Sequence, residues 1–425
     1  MLKEIINYLI LQNNHTIIYM FCFFIFIELP RFFLSGIVAI FATFKLMRQK
    51  IKTINCKKTY AISVLLPVHN NSNLIKTTII SLHEQINVKL QIIVINDGSD
   101  DNIKLICQEL LQNNLIHEFI NLEARSGKAA ALNIGLKFVK YPIVLSTDVD
   151  VSFDKDALFQ GCCYFNDIHV GAVCGNLKVR NVNTSLATNL QGLNYMFGIT
   201  LGRMVKDFLG FYFVISGAFG LFRTQILIDL NGWNYGPGDD GDMSVQILLS
   251  KWKVRFAVLA NAFTQTPVTF SALAEQRLRW NRSTIRVRYR KFRNIIFNIY
   301  RRSFNLTLAI SFLETYFFQG ILPIVFLFYI GQLIFSYGKF SILIILIIHF
   351  VYFIMQLIKF LLIISFSNYK RQDLKLLKYL PAYSFFNNYF LRIIALYAVI
   401  NELIFRGSYK DNFSPKKVRN KVDKF

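Results

Sequence analysis

LQIIVINDGSDD, Leu90 to Asp101, decides the fold of this 425-residue chain. An apolar run stops at Asp-Gly-Ser, and a short continuous run bounded by a turn signal reads as a strand buried on both faces. Two similar runs flank it, AISVLLPV (Ala61 to Val68) and PIVLST (Pro142 to Thr147). Between them the pattern predicts helices over Asn73–His83, Asn102–Gln112 and Gly127–Val139, and a short strand at Glu118–Leu122. Strands alternating with helices predict a parallel, doubly wound α/β sheet. In such a sheet, ligands sit outside the carboxyl ends of the strands.

Two of the three core strands end in acids. Asp97, Asp100 and Asp101 follow the second, and Asp148 and Asp150 follow the third. Taken alone, Asp-Gly-Ser is a solvated turn, and D-x-D is common in loops. At matching sheet positions the two sets suit a divalent ion that neutralises a diphosphate. A third acidic cluster, GPGDDGDMS (Gly236 to Ser244), precedes a helical run. One of its acids suits a helix cap; placed in a cleft, it suits a base taking a proton from an attacking hydroxyl.

The flanks are of another kind. Apolar residues make up 54% of the chain, mean hydropathy is +0.39 and net charge is +23, too apolar for an ordinary soluble protein. Apolar runs at Thr16–Met47, Phe304–Phe335, Phe340–Phe366 and Tyr379–Phe405 are each long enough to span a bilayer, which takes roughly 20 residues. Six cysteines without C-x-x-C spacing read as reduced core thiols. The basic stretch after Trp280, with Arg286, Arg288, Arg290, Lys291 and Arg293 between apolar residues, reads as an amphipathic helix on membrane lipids rather than a nucleic-acid site. Polar residues within the apolar runs, Glu314, Gln319, Gln356 and Lys359, suit either a channel lining or packed helix interfaces.

Asp97-Gly98-Ser99, Asp148-Val149-Asp150, Asp239-Asp240 and Gln276-Arg277-Leu278-Arg279-Trp280 stand in that order, with SGKAAALNIG around Lys128 and SGAFGLFR (Ser216 to Arg223) between them. This series resembles the processive family-two glycosyltransferases of membranes: the hyaluronan, chitin-oligosaccharide, poly-N-acetylglucosamine and cellulose synthases. The resemblance spans about Ala61 to Arg290. It implies a cytosolic GT-A glycosyltransferase domain embedded between transmembrane helices, working on a UDP-sugar and a growing polysaccharide acceptor. By that resemblance Asp97 contacts the nucleoside, helped by Lys128. Asp150, with Asp148 beside it, holds Mg²⁺ or Mn²⁺ on the diphosphate. Asp240 is the general base, Gln276 and Arg279 hold the pyrophosphate, Trp280 stacks on the acceptor sugar, and Ser216 and Gly217 line the acceptor site.

Two departures bear on the substrate. Many relatives have T-E-D where this chain has G-D-D. The R-W-N-R-S stretch leans towards the hyaluronan and chitin-oligosaccharide branch, while the tail GSYKDNFSPKKVRN is similar to the poly-N-acetylglucosamine branch. The donor sugar therefore stays open, with UDP-N-acetylglucosamine as a candidate.

The expected layout is an N-terminal membrane segment over 1–56, the catalytic domain over 57–283, a basic interface helix over 284–303, membrane or interface helices over 304–405 and a basic tail over 406–425. Lys45 to Lys52 after the first apolar run puts the domain on the cytosolic side, and the tail is expected there too. The layout leaves room for accessory export subunits. Two rival readings remain: a single-transfer enzyme acting on a lipid or short acceptor, and a non-catalytic scaffold of an export complex.

Overall fold

The computed structural model describes residues 13–53, 58–211, 213–297, 305–410 and 415. Cys56, the end of the basic interface stretch and most of the tail lie outside them; the five cysteines within them are free.

Among the described residues, eight strands form one sheet: β1 (Tyr60–Val68), β2 (Val88–Asp97), β3 (Glu118–Leu122), β4 (Ile143–Ser146), β5 (Val151–Phe153), β6 (Val170–Val179), β7 (Gly220–Arg223) and β8 (Lys253–Thr264). Their order is β3-β2-β1-β4-β7-β6-β8-β5. The first four are parallel, with Val64 of β1 level with Ile92 of β2 and Leu145 of β4. Alternation along β1 and β2 feeds two cores. Val64, Leu66, Ile92 and Val94 pack with Ile75 and Ile79 of the helix Ser72–His83 and with Cys107 of the helix Ile103–Gln112. Leu65, Ile93 and Ile95 pack on the opposite face with Ala131 and Leu132 of the helix Lys128–Leu136. The sheet is thus covered on both sides, as the unbroken apolar strands require.

The second half departs from an all-parallel sheet. β7 runs antiparallel to β4 and β6, and β5 antiparallel to β8. SGAFGLFR is therefore half loop and half strand. β7 is four residues long, too short for periodicity to declare it. Because it opposes β4, its first residue, Gly220, lies level with Ser146 at the carboxyl end of β4. The reversal delivers the loop Ser216–Phe219 to the edge where the acids of β2 and β4 emerge.

Among the described residues, three helical stretches are long and apolar enough to cross a membrane: Phe24–Arg48, Leu306–Phe366 and Lys370–Phe405, the second broken by the turn Gly338–Phe340. Phe23, Phe24, Phe326, Tyr329, Ile348 and Tyr352 form their shared core, and Arg392 donates to Glu28 at 2.8 Å. The third stretch touches the α/β domain near both ends. Asn194 donates to Tyr383 at 3.3 Å, and Arg290 meets Glu402 at 3.0 Å.

In the described part of the basic segment after Trp280, Arg286 and Arg288 are buried, while Arg293 is exposed. Arg286 is 2% exposed and Arg288 8%. Arg286 donates to Tyr409 and Pro237, Arg288 to Thr315, and Lys291 pairs with Asp242. Buried cations need partners, and a sequence pattern cannot reveal partners that lie between 27 and 123 residues away.

Candidate active site

The site forms along the carboxyl ends of β2 and β4. Asp97, the last residue of β2, is 4% exposed and spends its carboxylate on the chain. Oδ1 accepts from Ser126 N at 2.6 Å and Ser126 Oγ at 2.7 Å, and Oδ2 from Gly127 N at 2.8 Å. It fixes the turn that launches the helix Lys128–Leu136. In that helix Asn133 exchanges two hydrogen bonds with the backbone of Trp233, at 2.8 and 2.7 Å, so the segment bearing Lys128 is locked to the loop leading to Asp239.

Lys128 meets Asp148 rather than Asp97: its Nζ lies 2.6 Å from Asp148 Oδ1. It also faces the third acidic cluster. Gly217 separates the two, for a Cβ there would lie 2.5 Å from both Lys128 Nζ and Asp240 Oδ1. Only glycine lets those groups come so close. Gly217 N–H donates to Asp240 Oδ2 at 2.9 Å. Asp240 sits in the first turn of the helix Asp239–Leu249, where the helix end favours negative charge. The structure thus brings together Lys128, Asp148, Gly217 and Asp240, with Ser216 next to Gly217 in the loop.

Electrostatics follow from that crowding. Burial, then Asp240, pushes the Asp239 carboxyl up to about 7. Asp240 is raised by burial and by Asp148, while Lys128 works in the other direction. Burial alone would lower the Lys128 ammonium; Asp148, Asp240 and Asp239 outweigh it and raise its pKa above the usual lysine range, so it stays charged.

Asp150 accepts from Thr264 Oγ1 at 3.1 Å, and Arg180 Nη2 holds the Asp150 carbonyl at 2.9 Å. Burial and the neighbouring Asp148 raise its carboxyl pKa despite Arg180. An acid pair held together against its own repulsion fits a divalent cation. Among the described residues no three His, Cys, Asp or Glu side chains gather as a complete ligand set. Two carboxylates leave room for diphosphate and water oxygens, as Mg²⁺ prefers.

The helix Phe270–Ile285 carries Gln276, Arg279 and Trp280. Trp280 is 38% exposed, a ring open on one side. Gln276 Oε1 is buried without a hydrogen-bond partner, and Arg279 is half-buried. Sequence reasoning passed over Arg277. Its guanidinium lies 4.6 Å from the Trp280 ring centroid and 5.8 Å from that of Tyr195, and its Nε and Nη2 are buried without partners. Tyr195 is 4% exposed and feels the charge of both Arg277 and Asp150. An arginine beside the aromatic was visible in the motif; the tyrosine behind it, some eighty residues earlier, was not.

Acids at the carboxyl ends of a parallel βαβ half, joined to a mixed half that carries the loop of Asp240, define a GT-A glycosyltransferase fold. Residues 63–229 match the family model described as Glycosyl transferase family 2, and the chain carries a domain of that family. It is 31% identical over 252 residues to the poly-beta-1,6-N-acetyl-D-glucosamine synthase of Staphylococcus aureus (strain MSSA476), covering 57% of this chain and 59% of that protein. To the enzyme of the same name from Staphylococcus epidermidis it is 32% identical over 239 residues, covering 54% and 56%. The chain thus spans less than two thirds of the curated relatives it matches. A mannosyltransferase from Pyrobaculum calidifontis, solved with GDP-Man and Mn²⁺, shares the fold at TM-score 0.56 and 14% identity, over 84% of this chain and 99% of that one.

Proposed function

We propose that the chain is a membrane-bound, inverting, processive β-glycosyltransferase that extends a polysaccharide from a UDP-sugar and passes the product through its own membrane helices. What carries the proposal is the meeting of three motifs at one point: Lys128 lies against Asp148 and, across Gly217, against Asp240. Asp240 takes the proton of the acceptor hydroxyl as it attacks the anomeric carbon from the face opposite the diphosphate. The Gly217 N–H orients that carboxylate, and Lys128 keeps it ionised. Asp148 and Asp150 would hold Mg²⁺ or Mn²⁺, which supplies charge neutralisation at the departing diphosphate. Gln276 and Arg279 add donors for the same charge. Trp280 offers the acceptor sugar a flat apolar face, backed by Arg277. Asp97 acts on the nucleoside end of the site by fixing the Ser126–Gly127 turn.

UDP-N-acetylglucosamine is the proposed donor, supported by the name of the two staphylococcal relatives; the metal is supported by the Mn²⁺ in the mannosyltransferase complex. Export is supported by polar atoms buried without partners among the membrane helices: Gln319 Oε1, Tyr352 Oη, Gln356 Oε1, Asn388 Nδ2 and Arg392 Nη1. Such groups are costly in hydrocarbon unless something polar meets them, and sugar hydroxyls would. Glu314 is not one of them, since Lys206 holds it at 2.8 Å. A cytosolic catalytic domain is supported by the basic residues after the first span.

The test is turnover by purified protein in lipid with Mg²⁺ or Mn²⁺. UDP-N-acetylglucosamine, UDP-glucose and UDP-glucuronate would be offered singly and in pairs, with UDP release followed and the product sized. A long product from one donor supports the reading; products of one or a few sugars would replace processive synthesis with single transfer.

A further inference from the structure

The turn Gly407–Lys410 ends the described part of the third apolar stretch, and it is built into the catalytic domain. Ser408 is 2% exposed and Tyr409 8%. Ser408 N and Oγ donate to Glu402 at 2.7 and 2.8 Å, and Arg290 holds the same carboxylate at 3.0 Å. Glu402 is fully buried. Gly407 passes so close to Asn401 that a Cβ would lie 1.8 Å from its Oδ1. These contacts fix where the Tyr409 hydroxyl stands.

That hydroxyl accepts from Arg286 Nε at 2.9 Å, while Arg286 Nη1 donates to Pro237 O at 2.9 Å. Pro237 lies three residues before Asp240, in the loop whose next residue, Gly238, begins the helix bearing the acids by accepting from Asp242 N at 2.9 Å. Arg286 is 2% exposed and directly follows the helix that carries Trp280. One guanidinium therefore joins the carboxy-terminal turn, the end of the acceptor helix and the loop of the base. At the far side of the same loop Lys291 pairs with Asp242, which Asn234 and Gln246 also hold.

We propose that Tyr409 and Arg286 form a strut in which the carboxy-terminal turn positions the base loop Gly236–Asp240, so that the transfer step depends on the docking of the last helix. The proposal rests on the reading of Asp240 as the base. Tyr409 and Arg286 are positioning residues and touch no reacting atom. A planar guanidinium suits the role, because its N–H donors reach two acceptors in fixed directions, whereas the lysine ammonium is a flexible point charge without that geometry. The turn must then lie on the membrane side that holds the catalytic domain.

The test uses the full chain in lipid nanodiscs with Mn²⁺, comparing wild type, Tyr409→Phe, Arg286→Lys and Asp240→Asn. Two readouts are taken: kcat and KM for UDP-N-acetylglucosamine by UDP release, and amide hydrogen exchange over 236–244 and 88–97. Loss of one such hydrogen bond predicts that Tyr409→Phe lowers kcat about fivefold with KM within about twofold. Exchange over 236–244 should rise by a similar factor while 88–97 stays unchanged. Arg286→Lys should do the same or more. Unchanged exchange over 236–244 would overturn the strut, and so would faster exchange in both segments, which marks general loosening. Absence of UDP release from wild type would count against the enzymatic reading, and full turnover by Asp240→Asn against Asp240 as the base; the exchange comparison would still decide the strut.

Discussion

The Lys128 ammonium stands 2.6 Å from Asp148 and can face Asp240 only because Gly217 between them carries no side chain. One cation thereby couples the strand-tip acids, proposed to meet the diphosphate, to the acid proposed to take the proton. Donor charge and base ionisation are linked through it, and several outcomes depend on that link.

Replacing Asp240 by Asn keeps the Gly217 N–H partner and removes the proposed base. General-base catalysis contributes about 10²–10⁴-fold, so UDP release should fall within that range while UDP binding is retained. Steady-state turnover alongside calorimetric UDP titration checks both parts. Retained turnover would move the role to Asp239.

Lys128→Met tests the coupling through pH. Burial and mutual repulsion raise the Asp239 and Asp240 carboxyls, and Lys128 opposes that rise. A base must be deprotonated to act, so activity falls as pH drops through its pKa. Removing the cation raises that pKa further. The acid limb of the kcat profile should therefore move to higher pH in the variant, with the wild-type limb already above the ordinary aspartate range. A limb that stays in place would show that Lys128 serves only the donor.

Much of this was legible in the chain, and the part that was not has a common cause. Strands buried on both faces announce themselves as apolar runs, so β1, β2 and β4 fell within a residue or two of their ends. The acids followed because strand tips are where such sheets bind. The partners did not follow. Asp97 to Ser126, Lys128 to Asp148 and Arg286 to Tyr409 join residues between twenty and more than a hundred positions apart, and only the closed sheet and the docked tail make them neighbours. The basic stretch hid its partners for the same reason: its periodicity suited a membrane surface, while Arg286, Arg288, Arg290 and Lys291 are paired inside and Arg293 is exposed.

Gly217→Ala introduces a methyl where 2.5 Å is available to each charged neighbour. The long Lys128 side chain can withdraw; Asp240, on its helix, has less freedom. A displacement of this size near the reacting atoms costs about 10²-fold, and it should appear in kcat with little change in thermal stability. A parallel loss of Tm would mean that the loop, rather than the base geometry, has failed.

Asp97→Ala should act on folding as well as on donor use. Three donors of the Ser126–Gly127 turn lose their acceptor at once, and buried donors left unpaired cost about 1–3 kcal/mol each before relaxation and water entry. A fall in thermal midpoint of the detergent-solubilised protein, together with weaker UDP binding, is expected. Weaker binding with an unchanged midpoint would point to direct contact with the nucleoside.

Trp280 separates extension from a single transfer. Its ring is open on one side and backed by Arg277 on the other, an arrangement suited to gripping a sugar that must stay bound between additions. Losing about 1 kcal/mol of such contact speeds release about fivefold. Trp280→Ala should therefore shorten the product strongly while lowering the initial rate of UDP release much less. Arg277→Met, which leaves the indole without its backing, should shorten it to a smaller degree. Sizing product by gel filtration after equal UDP release decides the matter: equal lengths in variant and wild type would remove Trp280 from the acceptor path.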